Sequence, residues 1–425
     1  MTTTIESNTQ AILLLTAPLL ASARRGGDAG VNPLSLGEYN ELARALHERK
    51  RSPSDLLGDE AAGLIAECRG GLDAERLERL LARGLALAQA AESWHARSIW
   101  VVSRAEATYP RRLKARLKEA APPLLYGCGD ITRCDDGGLA IVGSRDATEE
   151  QLEFARDAAR VAARFGRGVV SGGARGVDQT AMTASLGEGG QVVGMLADGL
   201  ARAAVARDNR DALRSGRLVL LSICDPSAGF HAGLAMQRNR LIYALADAGL
   251  VVNAEFEKGG TWAGAIEQLS KFRFVPIYVR AQGNLGRGMV ALRERGALPW
   301  TCPQSEEAME MALKASPAPS RRQPMLPFVS GSGGDVVKEQ PSGGLAGQRD
   351  DETPHSSPAE ELFDVVRRIA GSITEPRSES ELADLLGVSK GQAKAWIARL
   401  VTEGLLEKTS RPVKYRRVGS QEVGS

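Results

Sequence analysis

Leu139-Ala140-Ile141-Val142-Gly143-Ser144-Arg145 and Val169-Val170-Ser171-Gly172-Gly173-Ala174-Arg175-Gly176-Val177-Asp178 decide the fold of this chain. Each begins as a short apolar run of β type and stops at a glycine turn that carries an arginine. Between them Phe154, Ala155, Ala158, Val161, Ala162 and Phe165 recur at helical spacing. The order is therefore strand, glycine turn, helix, strand, second glycine turn, helix. Glycines let backbone N–H groups approach an anion, a helix N-terminus adds a favourable dipole, and arginine forks onto phosphate oxygens. Two such loops in succession suit a nucleotide or a nucleic acid.

Working outward, strand signals at 139–142, 169–170, 191–196, 218–222, 250–253 and 274–279 alternate with helical ones. The helical stretches lie near 148–165, 176–186, 201–214, 231–246, 261–272 and 287–295. This alternation predicts an α/β, Rossmann-like, doubly wound parallel sheet whose ligands sit at the carboxyl ends of the strands. Ile99–Val102 and Leu124–Tyr126 flank a basic helix, Arg111–Lys118, and are placed to extend one sheet edge.

Four segments follow from composition and pattern: an N-terminal helical region (1–95), the Rossmann-like domain (96–314), a linker (315–358) and a winged helix-turn-helix (359–418). In the front region Tyr39, Leu42 and Leu46, and then Leu77, Leu80, Leu81 and Leu85, have helical spacing, with Asp73 as a cap. The linker mixes seven prolines with Gly, Ser and charge and has no hydrophobic period, so it reads as flexible. Beyond it, Leu362, Val365, Val366 and Ile369 mark one helix. Ser378–Leu386, the turn Gly387-Val388-Ser389, a helix from Lys390 and a basic strand at Val413–Val418 complete a winged-helix plan. Its expected core includes Ala383, Leu386, Val388, Ile397, Leu400 and Trp396.

At 425 residues and a formal net charge of +2, any nucleic-acid contact must come from local patches rather than from global charge. Five scattered cysteines have no zinc spacing and read as free thiols. Ala11–Ala21 is apolar but shorter than the ~20 residues of a membrane span. Glu6 stands where a signal peptide would be basic, so a buried helix, no membrane and a cytoplasmic protein are expected. The histidines are dispersed, and no metal or cofactor is implied.

Three segments, Ala140–Arg145, Ser171–Asp178 and Arg238-Asn239-Arg240-Leu241-Ile242, match in order and separation the motifs of the DNA-processing protein A family (DprA, also called Smf). The resemblance covers about Ile99–Pro299. It implies a non-enzymatic protein that binds single-stranded DNA in natural transformation or recombination, helps load a RecA-type recombinase and forms a homodimer. Carried over by motif, the DNA-contacting candidates are Gly143, Ser144, Arg145, Ser171, Gly172, Gly173, Arg175, Arg238 and Arg240. The chain departs from the family at Met182, where a histidine is frequent, at Gly199-Leu200, the remnant of a longer motif, and at Gly259-Gly260-Thr261-Trp262.

Arg238 and Arg240 are two apart on a helix, so they face different ways: one is expected to reach ligand and the other to brace a loop. Asp178 is expected to cap the turn or orient Arg175. Lys390, Lys394, Arg416 and Arg417 are candidate nucleic-acid contacts on the winged helix. If Arg145, Arg175, Arg238 and Arg240 all met phosphates, the log–log salt slope would be about −2.8. Two other readings use the same crevice, a small-nucleotide sensor and a nucleoside-monophosphate phosphoribohydrolase acting through Glu267, and a third, a transcription regulator, rests on the winged helix.

Overall fold

The computed structural model describes residues 5–19, 31–229, 232–283, 285–316, 366–371, 376–386, 390–409 and 414–417. They fall in two compact units, Met1–Pro327 and Phe328–Ser425. The expected linker lies outside the described residues from 317 onward.

The first unit opens with α1 (Ser7–Thr16), whose Ala11–Leu15 run is buried; Pro18 turns the preceding Ala17 to extended backbone and ends the helix. Then come α2 (Leu36–Glu48), α3 (Ala61–Cys68), α4 (Ala74–Leu81) and α5 (Gly84–His95). Ser35 and Glu38 form a capping box on α2, and Asp73 caps α4 as anticipated. Leu85 departs from the expected stripe: it lies on α5 and is 76% exposed. These helices share a core with the sheet, where Trp94 meets Tyr126 edge-on at 5.2 Å.

The sheet elements are β1 (Trp100–Ser103), α6 (Arg111–Leu117), β2 (Leu124–Cys128), β3 (Leu139–Val142), α7 (Glu149–Arg164), β4 (Val169–Ser171), α8 (Val177–Gly187) and β5 (Val192–Leu196). They continue with α9 (Leu200–Ala203), α10 (Arg207–Arg214), β6 (Leu218–Ser222), α11 (Ala232–Leu245), β7 (Ala248–Val251) and α12 (Gly259–Glu267). The unit closes with β8 (Ile277–Arg280), α13 (Arg287–Glu294), β9 (Leu298–Trp300) and α14 (Glu306–Lys314). Among the described residues the strand order is β1-β2-β6-β5-β4-β3-β7-β8-β9. β1–β2 and β2–β6 pair antiparallel, and the other neighbours are parallel. The inner strands are buried along their whole length, which explains their unbroken apolar runs. β3 lies between β4 and β7, so the chain reverses its direction of winding there, and the switch point falls at the first glycine turn.

The sheet differs from expectation in three places. The helix expected over 201–214 is two, because Ala206 is extended and Asn209 Nδ2 takes the Ala203 carbonyl at 3.0 Å. The helix expected to reach residue 272 stops at Glu267, continues as a wider π turn and ends at Arg273 with φ +51°. β9 is an added edge strand of three residues that contains Pro299, a residue edges tolerate.

In the second unit, residues 366–371 are helical, followed by α15 (Glu379–Leu386), α16 (Lys390–Thr402), β10 (Leu406–Thr409) and β11 (Lys414–Arg417). β10 and β11 pair antiparallel, with Leu406 opposite Arg417. Val366, Ala370, Leu382, Ala393, Ile397, Leu400 and Leu406 form the core, and Trp396 packs against it. This is the helix, helix and wing arrangement. The turn 387–389, Leu362 and Val365 lie outside the described residues, as do the side chains of Ala383 and Leu386.

Candidate nucleic-acid interface at the switch point

The first glycine loop is held from several sides. Asn253, just past β7, accepts the Ser144 N–H at 2.7 Å and gives its own amide to Gln151 at 2.7 Å. Thr261, at the start of α12, donates to the Gly143 carbonyl at 3.0 Å, and Asp178 accepts the Gly143 N–H at 3.4 Å. The second loop is tied to the first. Ser171 Oγ donates to the Ile141 carbonyl at 2.6 Å, and the Val177 N–H reaches the Ser144 carbonyl at 3.4 Å.

Two glycines are required by this closeness. Gly176 has φ +89°, and a Cβ there would lie 2.6 Å from the Ser144 oxygen. At Gly143 a Cβ would lie 2.5 Å from the Val177 side chain. The glycines therefore interlock the two loops, a role additional to the ligand approach expected of them.

The candidate residues separate into two groups. Gly143, Ser144, Arg145, Gly173 and Arg175 lie together at the accessible ends of β3 and β4. The Arg175 side chain is 78% exposed and meets Asp146 at 3.1 Å. Ser171, Gly172 and Arg238, by contrast, are buried, and Arg238 is the member of the Arg238/Arg240 pair that braces a loop. The Ser171 hydroxyl is spent on Ile141. Arg238 Nη1 donates to Asp178 Oδ2 at 3.2 Å and to the Met195 carbonyl at 3.4 Å. It lies so tightly over Gly172 that a Cβ there would come within 0.9 Å of it.

Asp178 thus orients Arg238 and the Gly143 amide, whereas Arg175 pairs elsewhere. Burial pushes the Asp178 carboxyl above its ordinary value, against the pull of Arg238. Arg240 is bound to Glu267 through two contacts, 2.5 and 3.2 Å, and lies 4.6 Å over the Phe272 ring. Glu267, the acid a hydrolase would need, is occupied by that pair.

On the winged helix, Lys390 and Lys394 belong to α16 and Arg417 to β11, but their side chains lie outside the described residues. Arg416 bonds Glu407 at 2.7 Å.

An open groove of about 760 Å³ runs from the loops between α7 and α8. Besides Arg145 and Arg175 it is lined by Arg156, Arg160, Gln179 and Thr183. Arg156 and Arg160 were not anticipated, because α7 was read only for its apolar face. Their four-residue spacing, continued by Arg164, was the available signal. Both are paired: Arg156 with Glu149 at 2.7 Å and with Glu153, and Arg160 with Asp157 at 3.4 Å.

A doubly wound sheet with two interlocked, arginine-bearing glycine loops at its switch point defines a Rossmann-like protein with its ligand crevice at the strand ends. The sequence profile of the family described as DNA recombination-mediator protein A matches residues 100–306, the sheet that carries those loops. This segment, just under half of the chain, is similar to that family, the DNA-processing protein A family. DNA processing protein A from Streptococcus pneumoniae is similar in fold: TM-score 0.53 at 18% identity, covering 72% of this chain and 97% of the other. The protein of that name from Helicobacter pylori, described for its single-stranded DNA binding mode, matches at 23% identity and TM-score 0.43, over 51% of this chain and 97% of its own. The molybdenum cofactor carrier protein of Chlamydomonas reinhardtii matches at 16% identity and TM-score 0.30, over 42% and 98%. No curated protein matches the sequence significantly. Among the described residues no helix is long and apolar enough to cross a membrane.

Proposed function

We propose that this chain binds single-stranded DNA along the strand-end crevice, with Arg145 and Arg175 meeting phosphates and the groove between α7 and α8 continuing the path. The observation that carries this reading is the interlocked pair of loops, which presents two exposed arginines at a rigid switch point. Backbone amides and guanidinium groups hold phosphates without reading sequence, so affinity is electrostatic and largely indifferent to base. The carboxylates beside Arg156, Arg160 and Arg175 are released when phosphates replace them. In this reading the protein serves recombination or natural transformation, hands its strand to a RecA-type recombinase and acts as a homodimer in the cytoplasm; the family motifs support these roles. Fluorescence anisotropy with labelled single-stranded and duplex oligonucleotides tests it. Single-strand preference that is lost in Arg175→Ala supports the reading, and binding indifferent to Arg175 removes it.

A further inference from the structure

An open pocket of about 390 Å³ lies where the loop after β7 meets α13, lined by Phe256, Leu285, Arg287, Val290, Glu294 and Arg295. β7 flanks β3 on the side away from β4, so this pocket and the groove between α7 and α8 lie on opposite sides of the switch point. Short links tie it to the first glycine loop. Asn253, which holds the Ser144 N–H, comes just before Phe256 in the chain, and Thr261, which holds the Gly143 carbonyl, comes just before Trp262. The first turn of α13 packs so closely on the same loop that a Cβ at Gly288 would lie 2.1 Å from the Ala254 oxygen. Within the pocket two rings and two guanidiniums form a stack. Phe256 and Trp262 meet at 5.1 Å, Arg287 lies 4.0 Å over the Phe256 ring, and Arg295 lies 5.5 Å over that of Trp262. Trp262 is buried, Phe256 is half-buried and Arg287 is exposed, so the stack runs from the core outward. Arg287 differs from Arg156, Arg160 and Arg175 in forming no ion pair among the described residues; the Phe256 ring holds it instead. Glu255, beside Phe256 in sequence, is taken by Lys258 at 3.0 Å.

We propose that this pocket takes an unpaired base of the bound single strand, which stacks on the Arg287 guanidinium while Phe256 and Trp262 back it from beneath. The proposal rests on the single-strand binding proposed above and adds a contact of another kind. Glu294 offsets one of the two guanidiniums that line the pocket, so its charge is small and flat surface is what it offers. Guanidinium planes and aromatic rings stack on any base, because every base has a π face. Phosphates held at the glycine loops leave the bases of the strand without a partner, and this pocket supplies one beside those loops. The site therefore anchors the strand without reading its sequence.

The test uses the full chain and two labelled single strands of equal length, one of ordinary nucleotides and one whose sugars carry no bases. The wild type should bind the ordinary strand roughly tenfold more tightly. Arg287→Lys keeps the charge and removes the plane, so it should abolish most of that preference while leaving the log–log salt slope unchanged. Phe256→Ala should do the same; if it does not fold, the exposed Arg287→Lys still decides. Arg175→Ala should weaken both strands alike, leave their ratio intact and make the slope shallower by about 0.7. Equal binding of the two strands by the wild type overturns the proposal, as does a preference that survives in Arg287→Lys. If either outcome comes with the expected loss in Arg175→Ala, the crevice stands and the pocket alone falls. A preference lost in Arg287→Lys beside binding indifferent to Arg175 keeps the pocket and removes the crevice, and a wild type that binds neither strand removes both.

Discussion

The arginines of the glycine loops and those of α11 come from motifs of one kind, yet their surroundings are opposite. Arg175 is 78% exposed beside an equally open Asp146, and Arg145 shares its exposed loop surface. The Arg238 side chain is 6% exposed beside an equally buried Asp178. An exposed ion pair is worth little and is readily exchanged for a phosphate. A buried one is costly to break, because removing either member strands the other's charge. Arg175 can therefore exchange its carboxylate for a phosphate, and Arg238 is committed to holding the loops in place. Arg240 stands between, clamped to Glu267 but lining a separate cavity.

The largest effect should come from the buried side of this comparison. Arg238→Ala leaves the Asp178 carboxylate uncompensated and should cost about 3–5 kcal/mol in denaturant unfolding. A loss below about 1 kcal/mol would mean that the pair does not organise the loops. Gly172→Ala should also destabilise, since its new methyl would collide with the same guanidinium. On the exposed side, Arg175→Ala should change stability by less than about 0.5 kcal/mol while weakening single-strand affinity roughly fivefold. An equal loss of stability would erase the distinction. A smaller change, about two- to threefold in affinity, is expected for Arg156→Ala with Arg160→Ala, because each must first leave a carboxylate. If that double variant binds as the wild type does, the strand does not follow the groove.

A third kind of pair gives the smallest effect. Glu38 is held at about 2, first by the Arg76 guanidinium and next by the Ser35 N–H. Because its folded value lies below the ordinary 4.5, its contribution is complete above that value and is lost as pH falls toward about 2. The difference in unfolding midpoint between wild type and Glu38→Gln should therefore shrink over that interval, without any change in the ranking of the DNA-binding variants at neutral pH.

Much of this arrangement is legible in the sequence. The inner strands announce themselves as apolar runs, the loops as glycine clusters, and α4 by Asp73. What is not legible depends on distant partners. The two-residue spacing of Arg238 and Arg240 says only that they diverge; which one is buried is decided by Asp178, sixty positions away. The cavity that Arg240 lines joins Leu34, Tyr126, Asp225 and Leu241, which no local pattern connects. β9 is too short, and carries a proline, to register as a strand. Arg156 and Arg160 were visible but lay on the polar face of a helix read for its apolar one.

The salt dependence of single-strand binding tests the account most directly, measured for the wild type and for Arg145→Ala combined with Arg175→Ala. Each phosphate contact on a single strand contributes about 0.7 to the log–log slope, so the double variant should be shallower by about 1.4. An unchanged slope would mean that the loop arginines do not meet phosphates, and would contradict the assignment of the switch point as the DNA site.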